Sequence, residues 1–220
     1  MGRDLTFSGC PEVLRGIFTG PKPGLKAQLK MSPRPRPGTR PIDEVRDGCS
    51  RAGVLVLLYP VEEELTLVLT RRTEEVEIHQ RQISLPGGRQ EEGETLRQAA
   101  LREAREELGI PTDSLEILGE LTPLYVPTSN YCIYPTVAYA SDRPRFQPAP
   151  KEVAEVIEVS LACLIDPQSV REEVWNVRGS EVLVVYYAFG NYKIWGATAM
   201  VLAEFLEIVK MYFGRENGRE

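Results

Sequence analysis

The longest apolar run of the chain, Gly53-Val54-Leu55-Val56-Leu57-Leu58-Tyr59, has no polar interruption, which predicts a strand buried on both faces. Leu65 to Thr70 follows a turn over Pro60 to Glu64, so the two segments predict a hairpin. Further strands are expected over Ser114 to Leu121, Ile133 to Ala140, Val153 to Val159 and Glu181 to Phe189. Between them, Thr95 to Leu108 reads as a helix closed by Gly109, with Pro111 beyond it, and a second helix is expected over about Ala197 to Phe213. Strands, one helix, more strands and a terminal helix do not alternate as a doubly wound parallel fold requires. The order predicts an α/β architecture with a central mixed sheet and helices on both faces.

The first fifty residues differ in texture. Pro11, Pro21, Pro23, Pro33, Pro35, Pro37 and Pro41 exclude one regular element here. The expected organisation is a proline-rich arm over 1–50, a folded domain over 51–214 and a tail over 215–220. Within the arm, Glu12 to Phe18 predicts a short helix and Met31 to Arg40 an extended strap, lying across the domain or onto a second subunit.

Composition narrows the function classes. The formal net charge of −6 gives no general attraction to nucleic acid or to an anionic membrane, and 42% hydrophobic with 26% charged residues is the balance of a folded globular chain. No apolar run approaches the roughly 18–20 residues of a membrane span. His79 is the one histidine, and Cys10, Cys49, Cys132 and Cys163 form no C-x-x-C pair, which excludes an ordinary zinc site. Four scattered cysteines without a recognisable signal segment predict reduced thiols and a cytoplasmic protein.

The helix Thr95 to Leu108 carries the chemistry. At about 100° per residue, Glu106 and Glu107 fall about 60° to one side and about 40° to the other of Glu103, so three carboxylates share one edge. Ala100, Ala104 and Leu108 form the adjacent, sheet-packing edge. Like charges so spaced repel, by about 0.2–0.5 kcal/mol per pair on a helix surface, and a divalent cation offsets this. Oxygen-only ligands suit Mg²⁺ or Mn²⁺, with phosphate oxygens and water completing the shell. The competing reading is a solvated acidic face neutralised by Arg97, Arg102 and Arg105.

The wider spacing decides between them. Gly88, five residues, Glu94, seven residues, then Arg102-Glu103-Ala104-Arg105-Glu106-Glu107-Leu108-Gly109-Ile110 resembles the Nudix box at every fixed position. The resemblance implies an α/β/α sandwich around a mixed sheet, and metal-dependent hydrolysis of a nucleoside diphosphate linked to another moiety. By position it implies that Glu103 and Glu107 are the main metal ligands, Glu106 a further ligand or the base, and Arg102 the group that orients a helix carboxylate. Glu152, from a later loop, is a second candidate for the base; Glu155 lies close by in sequence.

The preceding segment, Leu69-Thr70-Arg71-Arg72 through Pro86-Gly87-Gly88, is similar in register to the signature of the coenzyme A pyrophosphatases. Leu69, Thr70, Arg72, Pro86, Gly87 and Gly88 agree, whereas Glu77, Arg81 and Leu85 replace an arginine, a glycine and a phenylalanine. This resemblance implies cleavage of coenzyme A or acyl-coenzyme A to 3′,5′-adenosine diphosphate and 4′-phosphopantetheine, with Arg72, His79, Pro86, Gly87 and Gly88 at the substrate. The three replacements keep ADP-ribose, a dinucleotide or another nucleoside diphosphate conjugate as an alternative substrate, and a non-catalytic nucleotide-binding regulator as a third reading. Homodimers are common in the superfamily, which makes a homodimer an expectation here. Among the aromatics, Tyr125, Tyr131, Tyr134, Trp175 and Trp195 are candidates to stack an adenine, with core packing as the alternative.

Overall fold

A computed structural model describes residues 11–36, 42–45, 47–73, 82–177 and 179–216. In chain order the elements are α1 (Pro11–Phe18), α2 (Leu25–Gln28) running into a 3₁₀ turn (Leu29–Met31), α3 (Ile42–Val45), β1 (Ser50–Val61), β2 (Glu64–Arg72), β3 (Ile83–Ser84), β4 (Gly87–Arg89), α4 (Leu96–Leu108), β5 (Glu116–Glu120), β6 (Leu124–Val126), β7 (Tyr131–Tyr139), β8 (Val153–Ser160), α5 (Leu161–Ile165), β9 (Val170–Val177), β10 (Ser180–Phe189), β11 (Tyr192–Trp195) and α6 (Gly196–Glu216).

β1 is the axis of an eight-stranded mixed sheet. It runs parallel to β7 along one edge, and antiparallel to β2 and then β4 along the other. Its continuous apolar run has a period of two once the faces are separated. Leu55, Leu57 and Tyr59 pack with Val68 against Ala100, Ala104 and Leu108 of α4. Val56 and Leu58 join the opposite core with Ile17, Phe18, Leu118 and the α6 residues Val201, Phe205 and Val209. A strand sandwiched in this way needs apolar side chains at every position, and each such Leu or Val contributes about 1.5–3 kcal/mol by leaving water. The mixed sheet with helices on both faces is therefore as the hydrophobic pattern predicts.

The arm lies across its own domain as far as it is described. Arg34 exchanges two backbone hydrogen bonds with Leu183 of β10, both 2.9 Å, and the Arg36 guanidinium donates to the Tyr125 carbonyl at 2.7 Å. The fully buried Glu204 of α6 fastens α2 in place. It accepts from Gln28 Nε2 at 2.8 Å and from Thr122 Oγ1 at 2.6 Å. Strap residues 37–40 lie outside the described residues.

β9, β10 and β11 form a separate three-stranded antiparallel sheet. The alternation of Val170–Val177 is broken by Arg171-Glu172-Glu173, so β9 was not legible from its pattern, and its exposed Val170 and Val174 show why: it is an edge. Trp175 stands opposite Val182 and Trp195 opposite Tyr186, so the two indoles meet across β10, with ring centroids 5.1 Å apart and edge to face. Glu173 accepts from the Trp175 indole, the Tyr186 hydroxyl and Lys193, whose ammonium lies 5.5 Å from the Trp175 ring centroid. These tryptophans pack on each other, which explains their presence through the stability of the small sheet.

The expectation of reduced thiols fails at one pair. Cys49 and Cys132 form a disulfide with Cα atoms 5.8 Å apart. The parallel ladder is the reason: it sets Ser50 beside Tyr131 and Arg51 beside Cys132, a proximity that a sequence separation of 83 conceals. Among the described residues no helix is long and apolar enough to cross a membrane.

Among the described glycines, Gly53 has the least room for a side chain. A Cβ there would lie 2.1 Å from the Leu96 carbonyl oxygen and 2.8 Å from the Ala100 nitrogen, so the first turn of α4 rests directly on the β1 backbone. Gly53→Ala is expected to cost about 1–3 kcal/mol by overpacking, read as a fall in Tm of several degrees; an unchanged Tm would contradict the contact. Peptide mapping without prior reduction is expected to recover Cys49 and Cys132 in one cross-linked species, and separate alkylation of both would contradict the disulfide.

Candidate active site

The site is assembled where β4 passes beneath α4. Leu55 N–H donates to the Pro86 carbonyl at 2.9 Å, and Gly87 and Gly88 then pair with Val54 and Gly53. Gly87 has φ +150°, and a Cβ on it would fall 2.4 Å from the Gly53 carbonyl oxygen. A Cβ on Gly88 would fall 2.3–2.6 Å from the Glu103 carboxylate atoms. Glycine at both positions is thus what lets a helix carboxylate lie against the strand. Pro86 and Gly87 are buried, and Gly88 forms the floor under Glu103.

Glu107 is deepest, only 2% exposed. One of its oxygens accepts the Gly87 N–H at 3.2 Å and the other faces the Arg72 guanidinium at 3.6 Å. Burial pushes its carboxyl up to about 7, against the opposing pull of Arg72 and the Gly87 bond. Glu103 is also raised, first by burial, with the Arg102 hydrogen bond pulling the other way. The Glu152 carboxylate adds to both shifts, so the structure brings this loop residue into the same electrostatic field as the helix.

Arg102 holds the acidic edge together. Its guanidinium forks onto Glu94 at 2.9 and 3.2 Å, and reaches the Arg89 carbonyl at 3.0 Å, Glu103 at 2.9 Å and Glu106 at 3.1 Å. Its own ionisation is raised, first by the Glu94 bond, and Glu94 is correspondingly lowered by Arg102. Glu94 also accepts the Glu91 N–H at 2.8 Å, so this one carboxylate locks the loop to the helix. The box spacing singled out Glu94 without giving it a partner; it lies in the loop just before the N-cap Thr95, and Arg102 of α4 reaches back to it.

Other expected residues separate. Glu155 is held by Arg71 at 2.9 Å and by the Tyr192 hydroxyl at 2.5 Å, away from the acidic edge. Tyr125 donates to Asn130 at 3.1 Å. His79, Glu77 and Arg81 lie outside the described residues. Gly53 was missed in the sequence as a site residue, because a glycine inside an apolar strand shows its purpose only when the helix above it is placed.

Among the described residues no three carboxylates converge as a ready-made cage, since Glu103 and Glu106 are drawn onto Arg102. The donor set nevertheless suits a hard divalent cation: oxygen ligands only, one of them nearly dehydrated, with Arg72 Nε beside them buried and without a hydrogen-bond partner among the described residues. Such a half-built arrangement fits a metal that arrives with phosphate oxygens.

Comparison with known proteins agrees with this architecture. A NUDIX domain profile matches residues 50–183. The uncharacterized Nudix hydrolase NudL of Photorhabdus laumondii is 29% identical over 185 residues, covering 84% of this chain and 94% of that protein. The NudL of Yersinia pestis is 31% identical over 162 residues, covering 73% and 80%. The crystal structure of the Mycobacterium smegmatis Nudix hydrolase RenU superposes with a TM-score of 0.51 at 19% identity, covering 74% of this chain and 86% of that one, a likeness of fold. The box, its glycine floor and these relatives together establish that the chain belongs to the Nudix family, as a pyrophosphohydrolase.

Proposed function

We propose that the chain hydrolyses the diphosphate of coenzyme A or an acyl-coenzyme A, releasing 3′,5′-adenosine diphosphate and 4′-phosphopantetheine. The observation that carries this reading is the placement of Arg72, the signature arginine, 3.6 Å from the most buried carboxylate of the box. Of the three replacements in the signature, Leu85 is a core residue 5% exposed, so leucine for phenylalanine there is a change of packing below the site. The replacements at Glu77 and Arg81 are what favour the second reading, ADP-ribose or a dinucleotide.

In this reading Glu103 and Glu107, with Glu106 beside them, hold Mg²⁺ or Mn²⁺. A bound cation supplies charge neutralisation for the diphosphate and a more acidic water. Arg72 binds a phosphate oxygen, for which a guanidinium with an unused, desolvated N–H is well suited. Arg102 keeps Glu103 on its glycine floor, and Glu152 or Glu106 accepts the proton of the attacking water. The bond that breaks is the phosphoanhydride P–O, and the proton lost by water leaves with the departing phosphate. A pure binder has no need of Glu107, whose burial as an anion is unfavourable; this argues for turnover.

The substrate reading is tested by incubating the protein with coenzyme A, ADP-ribose, NADH and diadenosine polyphosphates, with Mg²⁺ and with Mn²⁺, and identifying products by mass. Coenzyme A is expected to be cleaved fastest, and a faster rate on ADP-ribose or a dinucleotide would establish the second reading. Glu107→Gln is expected to lower kcat by about 10²-fold or more. It should also leave the metal-free protein at least as stable at pH 8, since a buried charge is removed; normal turnover at saturating Mg²⁺ would refute the ligand role. The sign of the pH effect follows from a carboxyl raised to about 7 in the metal-free protein. Its contribution to stability is complete below the ordinary carboxylate range and is lost as pH rises through about 7. Cation binding must displace that proton, so affinity for Mg²⁺ rises with pH up to about 7. Calorimetry in buffers of different ionisation enthalpy should show proton release at pH 6 and little at pH 8.5, and equal release at both would contradict it.

A further inference from the structure

The last two residues of β2 point to opposite faces, as strand alternation demands. Arg72 turns toward Glu107, whereas Arg71 turns away and donates from Nε to one oxygen of Glu155 on β8, at 2.9 Å. The other oxygen of Glu155 accepts the Tyr192 hydroxyl from β11, at 2.5 Å. One carboxylate therefore joins a strand of the main sheet, its neighbour and the small second sheet.

The ladder between β2 and β8 is interrupted at this point. Arg71 stands opposite Glu155 but Arg72 stands opposite Val153, which leaves Ala154 as an extra, bulged residue. A bulge breaks regular pairing and re-aims the chain that follows it. Past it, Arg72 N–H donates to the Gln82 carbonyl and Thr73 N–H to the Glu152 carbonyl, both at 3.1 Å. At this interruption of the β2–β8 ladder, Arg72 thus faces Glu107 and Thr73 is bonded to Glu152.

We propose that Arg71, Glu155 and Tyr192 form a positioning clamp that holds the end of β2 across the bulge, so that Arg72 and the Glu152 loop are presented to Glu107. None of the three touches the acidic edge; they act through Arg72 and Glu152. Glu155 is held below its usual range, first by the Tyr192 bond and then by Arg71, which keeps it an anion able to accept from both. An Arg71–Glu155 pair this exposed would hold little by itself, and the Tyr192 hydroxyl from a different sheet is what makes it a three-point clamp. The effect on turnover rests on the proposed role of Arg72, but the geometry of the clamp does not.

The test uses Tyr192→Phe, which removes only the hydroxyl, with Glu155→Gln as a second variant. Amide hydrogen exchange followed by NMR is expected to speed up about tenfold at Arg72 and Thr73, with Leu67 and Leu69 in the same strand unchanged. In parallel, kcat/KM on coenzyme A and on ADP-ribose is expected to fall about tenfold, with a larger change in KM than in kcat, while Tm moves little. Unchanged exchange at Arg72 and Thr73 would overturn the clamp. Faster exchange with unaltered kcat/KM would also overturn it, by showing a staple that does not serve the site. If the unsubstituted protein cleaves neither compound, the substrate reading falls and hydrogen exchange alone decides the clamp.

Discussion

Everything at the candidate site depends on how closely α4 approaches the strands beneath it. Helices ordinarily stand off a sheet because side chains fill the space between them. Here Gly53, Gly87 and Gly88 remove those side chains along one line, so the helix backbone touches β1 and the Glu103 carboxylate touches β4. The same approach carries Glu107 into the interior, where it is 2% exposed and raised by burial. The capping box at Thr95 and Gln98 and the left-handed Gly109 at the other end then fix where the helix starts and stops.

From that contact the electrostatics follow. Three carboxylates on one edge of a helix, with Glu152 nearby, repel one another; Arg102 answers part of this by bonding Glu94, Glu103 and Glu106 at once. Glu107 is left with one N–H and a guanidinium at 3.6 Å, incomplete for an anion in so dry a place. In our reading that incompleteness is functional, since a cation and a diphosphate together supply what the folded chain lacks. In the same reading, ligand binding relieves the unfavourable charge that the fold holds along the acidic edge.

Much of this was legible from spacing. Apolar runs and periodicity predicted β1, β2, β7, β8, β10, α4 and α6 to within a few residues, because each is long and its burial is one- or two-sided in a regular way. β3, β4 and β6 are two or three residues long and β9 is an exposed edge, so no period could announce them. The box marked Glu103, Glu106 and Glu107, but not that Glu94 and Arg102 bond each other, nor that Gly53 belongs to the site. The Cys49–Cys132 disulfide was misread as two thiols because parallel pairing joins positions remote in sequence. Trp175 and Trp195 were open to a role in stacking, and cross-strand register gives them each other instead.

The central claim is that the crowding of Glu103 and Glu107 over the glycine floor is a cation seat. Soaking crystals of the protein with Mn²⁺ and a non-hydrolysable diphosphate, and collecting at a wavelength where manganese scatters anomalously, tests it directly. An anomalous peak bridging the carboxylates of Glu103 and Glu107 is the predicted result. No peak there, with the diphosphate bound and Arg102 still bonded to Glu103 and Glu106, would contradict it.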